Sequence, residues 1–272
     1  WAAWIIVVGC VALGFVEDCR NGSVPPLVRL GAKTLIWGVT LWLWPMLIPS
    51  SIGAPVIDQL LSIPALAFLL CLVFCVGFIN AVNMADGANG LVASIVVMAN
   101  IVFFKEFGGI GFLAVLTVFS VFLIFNVMSG RLFLGDAGAY GAGAILLVTS
   151  LFCYSAGFAS LSFFAALLSY PCLDLLFSIT RRFFMGRSIT MPDNDHLHNR
   201  IHYQYCKVFS SPNMANSAAG LTVACASSGV VCVTYLADWL PITSGQWSMV
   251  FAAQCVLYVV AYYLTGKSAG EH

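Results

Sequence analysis

The chain has 272 residues, of which 61% belong to the apolar set AVILMFWYC and 8% are charged, and its mean hydropathy is +0.98. About a quarter of the residues of a soluble domain are charged, so this composition excludes a soluble globular protein and indicates an integral membrane protein. Eleven Lys and Arg residues balance eleven Asp and Glu residues. That balance excludes a basic nucleic-acid-binding surface, so nucleic acid is not expected as a partner.

Ten cysteines are scattered along the chain, mostly within apolar stretches, and none forms a CxxC pair. This pattern predicts small buried side chains and indicates neither a zinc site nor a disulfide framework. The first apolar run, 1–15, is shorter than the roughly 20 residues that cross a bilayer. We therefore expect the protein to begin upstream of Trp1.

Long apolar stretches separated by polar or Gly/Pro clusters predict an all-α, polytopic membrane protein with about nine transmembrane helices. We interpret residues 1–272 as one domain. The predicted spans are 1–15, 30–48, 64–79, 91–104, 110–128, 138–155, 158–179, 217–236 and 247–264.

The basic residues are distributed very unevenly between the two sides of this predicted topology. One set of loops and the C-terminus hold Arg20, Arg29, Lys33, Arg131, Arg181, Arg182, Arg187, Arg200, Lys207 and Lys267, and the opposite side holds Lys105. Cytoplasmic loops carry an excess of Lys and Arg. The first set is therefore predicted to lie in the cytoplasm.

Polar residues near the predicted spans collect in four clusters. These are GFVEDCR (14–20), NAVNMADGANG (80–90), FNVMSGRLFLGDAGA (125–139) and GRSITMPDNDHLHNRIH (186–202). All four fall on the predicted cytoplasmic side. A transporter pathway would instead place polar groups near the bilayer midplane, so this asymmetry favours a site that opens to the cytoplasm.

Each cluster also has a simpler interpretation. Glu17 and Asp18 could be ordinary loop acids, the segment 86–90 is typical of a turn, and Asp136 could cap the next helix. The two histidines of the last cluster could be solvated. All four clusters fall on the same predicted side of the membrane, which favours one common site over four independent features.

The spacing of the histidine cluster suggests how its side chains are arranged. His196 and His198 oppose each other on a helix but share one side of an extended segment. In an extended segment, Arg200 would join them.

Grouped carboxylates repel an anionic substrate unless a cation lies between them, and Mg²⁺ is usually bound by one or two carboxylates together with substrate phosphates. This combination suggests phosphoryl transfer on a nucleotide diphosphate. Imidazole and guanidinium groups can bind the diphosphate, and asparagine side chains can bind a nucleobase or sugar hydroxyls. The candidate asparagines are Asn80, Asn83, Asn89 and Asn126.

The four clusters closely resemble a known family in the same order along the chain, over about residues 9–217. NAVNMADGANGL resembles NAxNxxDGxDGL, FLGDAGA resembles FxGDxGS, PDNDHLHNRI resembles PDxxHxHHxL, and GFVEDCR resembles a GxxDDxxD-type segment. These motifs are typical of the bacterial polyprenyl-phosphate N-acetylhexosamine-1-phosphate transferases, the superfamily of WecA and MraY. The HxH spacing points to the WecA-like branch.

The resemblance implies transfer of a sugar 1-phosphate, in particular N-acetylhexosamine 1-phosphate, from a UDP-sugar to undecaprenyl phosphate in the bacterial inner membrane. UMP is released, and Mg²⁺ or Mn²⁺ is the implied cofactor. The chain departs from the family pattern at four positions, Glu17, Asn89, Ala139 and Asn199. The sequence leaves two alternatives to this enzyme open: a transporter or flippase of lipid-linked intermediates, and an inactive fragment of the family. It also leaves open whether the protein forms a homodimer.

The roles that follow are hypotheses. We expect Asp136 to be the metal ligand, with Asp18 and Glu17 near the lipid phosphate and Asp18 supporting the metal. The predicted catalytic residues are Glu17, Asp18, Asp136, His196, His198 and Arg200, the last three around the diphosphate. The predicted substrate-binding residues are Asn80, Asn83, Asp86, Asn89, Asn126 and Arg131.

Overall fold

The computed structural model describes residues 2–20, 24–186 and 194–266, and every regular element in these ranges is a helix. Arg187, Lys267 and residues 187–193 of the histidine cluster lie outside the described residues. The α-helices are α1 (Ala2–Cys19), α2 (Pro26–Leu43), α3 (Pro55–Leu61), α4 (Pro64–Ala85), α5 (Leu91–Phe107), α6 (Ile110–Ser129), α7 (Gly135–Ser155), α8 (Leu161–Leu167), α9 (Ser169–Phe184), α10 (Leu197–Tyr205), α11 (Pro212–Ala224), α12 (Val230–Leu236) and α13 (Trp247–Leu264).

The all-α, polytopic prediction is confirmed, and a helix covers most of each predicted span. Five stretches of the described chain are long and apolar enough to cross a membrane: α4, α6, α7, α13 and the continuous run Pro212–Leu236. The bent pair α8 and α9 would make six. This count is below the predicted nine. Two of the other predicted spans are weaker by the same measure, because α5 has only 17 residues and α2 carries Arg29 and Lys33.

The sequence predicts one domain, and the chain divides into two compact units. The first unit contains Trp1–Asn83 and Leu134–Leu161, and the second contains Met84–Phe133 and Ser162–His272.

In the first unit, α1 packs closely along α7. Gly14 allows this approach, because a Cβ at this position would lie 2.4 Å from backbone atoms of Asp136 and Ala137. Real Cβ atoms do not come that close to a backbone, so a larger residue would force the two helices apart.

In the second unit, α8 and α9 meet at an angle of 77°. Pro171 explains the break, because a proline in a continuous helix has no N–H and clashes with the carbonyl four residues earlier, here that of Leu167. The hydroxyl of Ser228 donates to this carbonyl at 2.6 Å. Ser228 lies in a π-helical turn, Cys225–Gly229, between α11 and α12. The π turn therefore satisfies the polar group that the proline leaves open.

Candidate functional site

Asp18 holds the beginning of α7 in the first unit. Its two carboxylate oxygens accept the backbone N–H groups of Asp136 and Ala137 at 2.9 and 3.0 Å. These are among the N–H groups that have no partner within the helix, and a carboxylate also interacts favourably with the positive end of the helix dipole. The simpler interpretation of Asp136 as a cap is wrong, since Asp18 fulfils that role from a distant part of the sequence.

Glu17, next to Asp18, is 1% exposed. Its Oε2 accepts the hydroxyl of Tyr140 at 2.9 Å and lies 3.4 Å from a guanidinium nitrogen of Arg29. Its other oxygen, Oε1, is buried and has no hydrogen-bond partner among the described residues. Leaving a carboxylate oxygen unsatisfied is costly, so this atom is a candidate position for a cation or a further donor.

Lys33 and Asn80 form the other side of this cluster. Nζ of Lys33 donates to Oδ1 of Asn80 at 2.8 Å and lies 3.9 Å from the centre of the Tyr140 ring. The Lys33 ammonium also interacts electrostatically with the carboxylates of Glu17 and Asp136. Asn80 is thus committed to holding Lys33. Asn83, one turn later on α4, is half-buried.

Asp136 is half-buried in the first turn of α7. In the part of the chain that the structure describes, its carboxylate accepts no hydrogen bond and joins no ion pair. The carboxylate of Asp18, in contrast, already accepts two backbone N–H groups. Those same residues contain no group of three His, Cys, Asp or Glu side chains that could hold a metal alone.

This donor set fits Mg²⁺ bound by one or two carboxylates together with substrate phosphates, which needs no complete protein cage. The carboxylate of Asp136 and the open Oε1 of Glu17 are the oxygen atoms available for that role. Asp18, predicted as a second metal ligand, acts here through the backbone of α7.

The segment 86–90 of the second unit is a turn between α4 and α5, as its composition predicts. Gly90 has a φ of +79°, which favours glycine, and its N–H donates to Oδ1 of Asn126 at 2.5 Å. The amide nitrogen of Asn126 donates to the carbonyl of Leu132. Asn89 is buried and donates to the Ser217 hydroxyl at 3.4 Å. Both asparagines therefore hold the turn in place.

His198 lies against this turn. A Cβ on Gly87 would lie 2.7 Å from Nε2 of His198, and half-buried Asp86 is the adjacent residue. Nδ1 of His198 lies 2.7 Å from the Tyr170 hydroxyl. Burial lowers the pKa of His198 to about 4, so the ring is neutral at pH 7.

His196 packs face to face with His198, with ring centres 5.6 Å apart. Its Nδ1 lies 2.6 Å from Oδ2 of the buried Asp174. A carboxylate at one ring nitrogen fixes the orientation of an imidazole. Asp174 is therefore a positioning residue for this cluster. Its sequence signal was a charge inside a predicted span, which is rare enough to indicate a function.

The histidine segment is extended only up to His196, because α10 begins at Leu197, so the condition under which Arg200 would join the histidines is not met. Two side chains of α9 cause this. Asp174 accepts the backbone N–H of Leu197 at 3.1 Å, and the Tyr170 hydroxyl accepts that of His198 at 3.1 Å. Both groups would otherwise lack a partner at the start of the helix.

Arg200 is buried in a polar cluster with Asp195 and Tyr262. Nε and one terminal nitrogen of Arg200 bind the two Asp195 oxygens at 2.5 and 2.8 Å, and the other terminal nitrogen donates to the Tyr262 carbonyl at 3.0 Å. The Tyr262 hydroxyl donates to Asp195 at 2.7 Å. Arg181 also binds Asp195. These contacts make Arg200 a positioning residue that ties α10 to α13, and its contact with a diphosphate stays a prediction.

The electrostatics of Asp195 reflect these partners. Burial alone would raise the pKa of Asp195, but the hydrogen bonds from Arg200 and Tyr262 and the charge of Arg181 outweigh it and hold the pKa below its ordinary value. Asp195 therefore remains ionised at neutral pH.

The predicted site residues are divided between the two units. The first unit contains Glu17, Asp18, Asn80, Asn83 and Asp136, and the second contains Asp86, Asn89, Asn126, His196, His198 and Arg200. Arg131 is exposed between α6 and α7. The residues that sequence analysis did not select are Arg29, Lys33, Tyr140, Tyr170, Asp174, Asp195, Tyr258 and Tyr262. Most of them act by holding a predicted residue.

Comparisons with known proteins agree with these motifs. Residues 1–154 match the model of Glycosyl transferase family 4. A probable undecaprenyl-phosphate N-acetylglucosaminyl 1-phosphate transferase of Bacillus subtilis is 28% identical over 213 residues, covering 73% of this chain and 56% of the relative. The decaprenyl-phosphate N-acetylglucosaminephosphotransferase of Mycobacterium tuberculosis H37Rv is 34% identical over 230 residues, covering 72% of this chain and 56% of the relative.

A more distant relative is the phospho-N-acetylmuramoyl-pentapeptide-transferase of Latilactobacillus sakei, which is 34% identical over 94 residues, 30% of this chain and 28% of the relative. The chain spans about half the length of the first two relatives. Because the family model matches more than half of the described protein, from the first helix through almost all of α7, the chain belongs to Glycosyl transferase family 4.

Proposed function

We propose that this protein transfers a sugar 1-phosphate, in particular N-acetylhexosamine 1-phosphate, from a UDP-sugar to undecaprenyl phosphate. An oxygen of the lipid phosphate forms a bond to the phosphorus that carries the sugar. The bond from that phosphorus to the bridging oxygen breaks, and UMP leaves with the electron pair. The names of the Bacillus subtilis and Mycobacterium tuberculosis relatives support the polyprenyl acceptor and N-acetylglucosamine as the sugar.

The observation that carries this proposal is the arrangement around α7. Asp18 fixes the first turn of the helix, while the neighbouring Asp136 carboxylate has no donor among the described residues. Mg²⁺ or Mn²⁺, when bound, would neutralise phosphate charge there, and Asp136 would hold it. Lys33 is a second positive group near these carboxylates. A lipid phosphate has its second pKa near 6, so it needs no strong base.

The histidine cluster belongs to the second unit. His198 is neutral at pH 7, so it would act through a ring N–H or lone pair and not as a fixed positive charge. His196, oriented by Asp174, would bind the diphosphate as charge moves to the leaving UMP. Donors aimed at developing charge are a common source of rate acceleration. We infer that the site faces the cytoplasm from the ten-to-one basic bias.

Release of UMP tests the proposal. The purified full-length protein should release UMP from a UDP-sugar only when undecaprenyl phosphate and Mg²⁺ are both present. UDP-N-acetylglucosamine is the first donor to try. Absence of release, or release that does not need the lipid, would contradict the proposed transfer.

Two neighbouring variants separate the roles in the first unit. Asp136→Asn keeps size and loses charge, and it should lower the rate by orders of magnitude at ordinary Mg²⁺ while the protein still folds. Asp18→Ala removes both hydrogen bonds that cap α7 and should cost about 1 kcal/mol of stability. Near-normal turnover of Asp136→Asn would exclude Asp136 as the metal ligand.

A further inference from the structure

Tyr140, on α7, contacts two groups of opposite charge in the first unit. Its hydroxyl donates to Oε2 of Glu17 at 2.9 Å, and the Lys33 ammonium lies 3.9 Å from the centre of its ring. Each of the three residues is at most 3% exposed. One tyrosine can bind both groups, because its hydroxyl is a donor while the face of its ring carries partial negative charge that attracts a cation.

The packing of α1 against α7 explains how Tyr140 reaches Glu17. A Cβ on Gly141 would lie 2.7 Å from Cγ2 of Val11, and a Cβ on Gly14 would lie 2.4 Å from the backbone of the first turn of α7. These two close approaches fix the register of the helices. Side chains of a helix point back toward its beginning, so that of Tyr140 extends toward the first turn of α7. Glu17 lies there, one turn after Gly14 on α1.

Glu17 and Lys33 attract each other electrostatically, but these two described residues form no direct ion pair with each other. Oε2 of Glu17 binds Tyr140 and Arg29 instead. Nζ of Lys33 donates to Oδ1 of Asn80 at 2.8 Å. Opposite charges that are buried close together gain free energy from direct contact, because little water screens them. Their separation therefore depends on the groups that hold each of them, and Tyr140 is the side chain that holds both.

We propose that Tyr140 is a positioning residue that keeps Glu17 and Lys33 apart as separate charges. The hydroxyl holds the carboxylate at the edge of the ring, and the face of the ring holds the ammonium. Nζ of a lysine has three donors, of which Asn80 takes one, so the unpaired Lys33 ammonium retains donors for an anionic phosphate. This consequence rests on the proposed transfer, in which a lipid phosphate binds near these groups.

The separation of the two charges has a kinetic signature. If Glu17 and Lys33 paired directly, each would neutralise the other, and the lipid phosphate would lose a positive partner. The KM for undecaprenyl phosphate should then rise. A side chain that only fills space in the core would instead change the amount of folded protein, and the KM of the folded fraction would stay the same.

Three variants test this signature by UMP release. Tyr140→Leu removes the hydroxyl and the ring, and it should raise the KM for undecaprenyl phosphate about tenfold, the scale of one net hydrogen bond, while the KM for the UDP-sugar changes less. Tyr140→Phe keeps the ring and should have a smaller effect in the same direction. Tyr154→Phe is the matched control, because that hydroxyl, on the same helix, donates to the carbonyl of Ser51 at 2.6 Å. It should leave both KM values unchanged.

Thermal unfolding tests the separation itself and needs no substrate. Glu17→Gln, Lys33→Met and the double variant are compared in the parent and in the Tyr140→Leu protein. The non-additivity of their shifts in Tm measures the interaction between the two charges. It should be larger in the Tyr140→Leu protein, where the two groups can pair directly. If Tyr140→Leu does not fold, the same cycle in Tyr140→Phe should show a smaller increase, because the carboxylate has lost its hydroxyl partner.

Two results would overturn the inference. Equal non-additivity with and without the Tyr140 side chain would show that the tyrosine does not separate the charges. Equal KM values for undecaprenyl phosphate in the Tyr140 variants and Tyr154→Phe would show that the separation does not serve the acceptor. A parent protein that releases no UMP contradicts the proposed transfer instead, and the unfolding cycle still decides whether Tyr140 separates the charges.

Discussion

Nδ1 of His196 lies 2.6 Å from Oδ2 of Asp174. The hydroxyl of Tyr258, 84 residues later in the chain, donates to the other oxygen of the same carboxylate. Asp174 accepts further from the backbone N–H of Leu197. One buried side chain of α9 thus orients a histidine, starts α10 and binds α13. Its removal should affect reaction geometry more than membrane insertion.

Asp174→Asn should lower kcat for UMP release by about 10- to 100-fold, because the amide cannot accept from all three donors and loses the charge-assisted bond to His196. KM for the UDP-sugar should change less. The measurement is steady-state kinetics on purified protein. Asp238→Asn, at a side chain that is 83% exposed, is the control and should turn over normally. A folded Asp174→Asn protein with unchanged kcat would show that His196 does not depend on Asp174.

Stability should fall as the pH falls from 6.5 to about 4, because the pKa of His198 is lower in the folded protein than in the unfolded chain. The unfolded state then binds the proton more readily, so the contribution is fully present above pH 6.5 and is lost on approach to pH 4. Its size is roughly 3 kcal/mol. Thermal unfolding of the protein and of His198→Gln at pH 7.5 and pH 5 measures it.

In that comparison, His198→Gln should lose much of the pH dependence between 5 and 7.5. His202→Gln, on the same helix and half-buried, should retain it. Identical pH profiles for the parent and His198→Gln would mean that another group determines the stability in this range.

The link between α10 and α13 can be tested with two adjacent tyrosines. Tyr262→Phe removes the hydroxyl that donates to Asp195 and accepts from Arg200, so it should cost about 1.5–3 kcal/mol, the range for hydrogen bonds to charged groups. Tyr263→Phe changes a side chain that is 71% exposed and should have little effect. Denaturant unfolding compares the two. Equal stability of both variants would show that Tyr262 does not hold Arg200.

The motifs were sufficient to find most residues of the candidate site, because their order and spacing are visible in the chain itself. The pattern could not show that Asp18 binds the backbone of Asp136 and Ala137, since that contact joins residues 118 and 119 positions apart. Nor could periodicity place the start of α10. The capping groups of that helix come from α9, so only tertiary structure determines where it begins.

The number of membrane-spanning helices was harder to predict than the positions of the helices along the chain. A helix covers most of each of the nine predicted spans, but five or six stretches of the described chain are long and apolar enough to cross a membrane, and helix boundaries moved where a side chain or a proline decided them. The break at Pro171 divides one predicted span, 158–179, into α8 and α9. Proline marks such a break in a sequence, but the partner that stabilises it, Ser228, is not recognisable from the sequence.

Sidedness can be tested by thiol labelling. A cysteine replacing exposed Trp239 should react with an impermeant reagent added outside intact cells, whereas one replacing exposed Asn194 should react only after permeabilisation. The basis is the ten-to-one bias of Lys and Arg. The unmodified chain, with its ten cysteines, provides the background. The reverse pattern would contradict a cytoplasmic site.

The contact between Gly87 and His198 leads to the last prediction. Gly87→Ala would place a Cβ 2.7 Å from Nε2 of His198, a distance that real Cβ atoms essentially never show. The imidazole or the turn must shift, and the ring is held on its other side by the Tyr170 hydroxyl. We therefore expect Gly87→Ala to lower kcat for UMP release, since a displacement of about 1 Å at a reacting group can cost 100-fold.

Gly111→Ala is the matched control, because a Cβ at Gly111 would meet no atom within 4 Å. Both variants add one methyl group, so a difference between them reports the local contact and not the composition. The kcat of Gly111→Ala should equal that of the parent. If Gly87→Ala is as active as Gly111→Ala, His198 tolerates displacement, and its proposed place at the diphosphate is wrong.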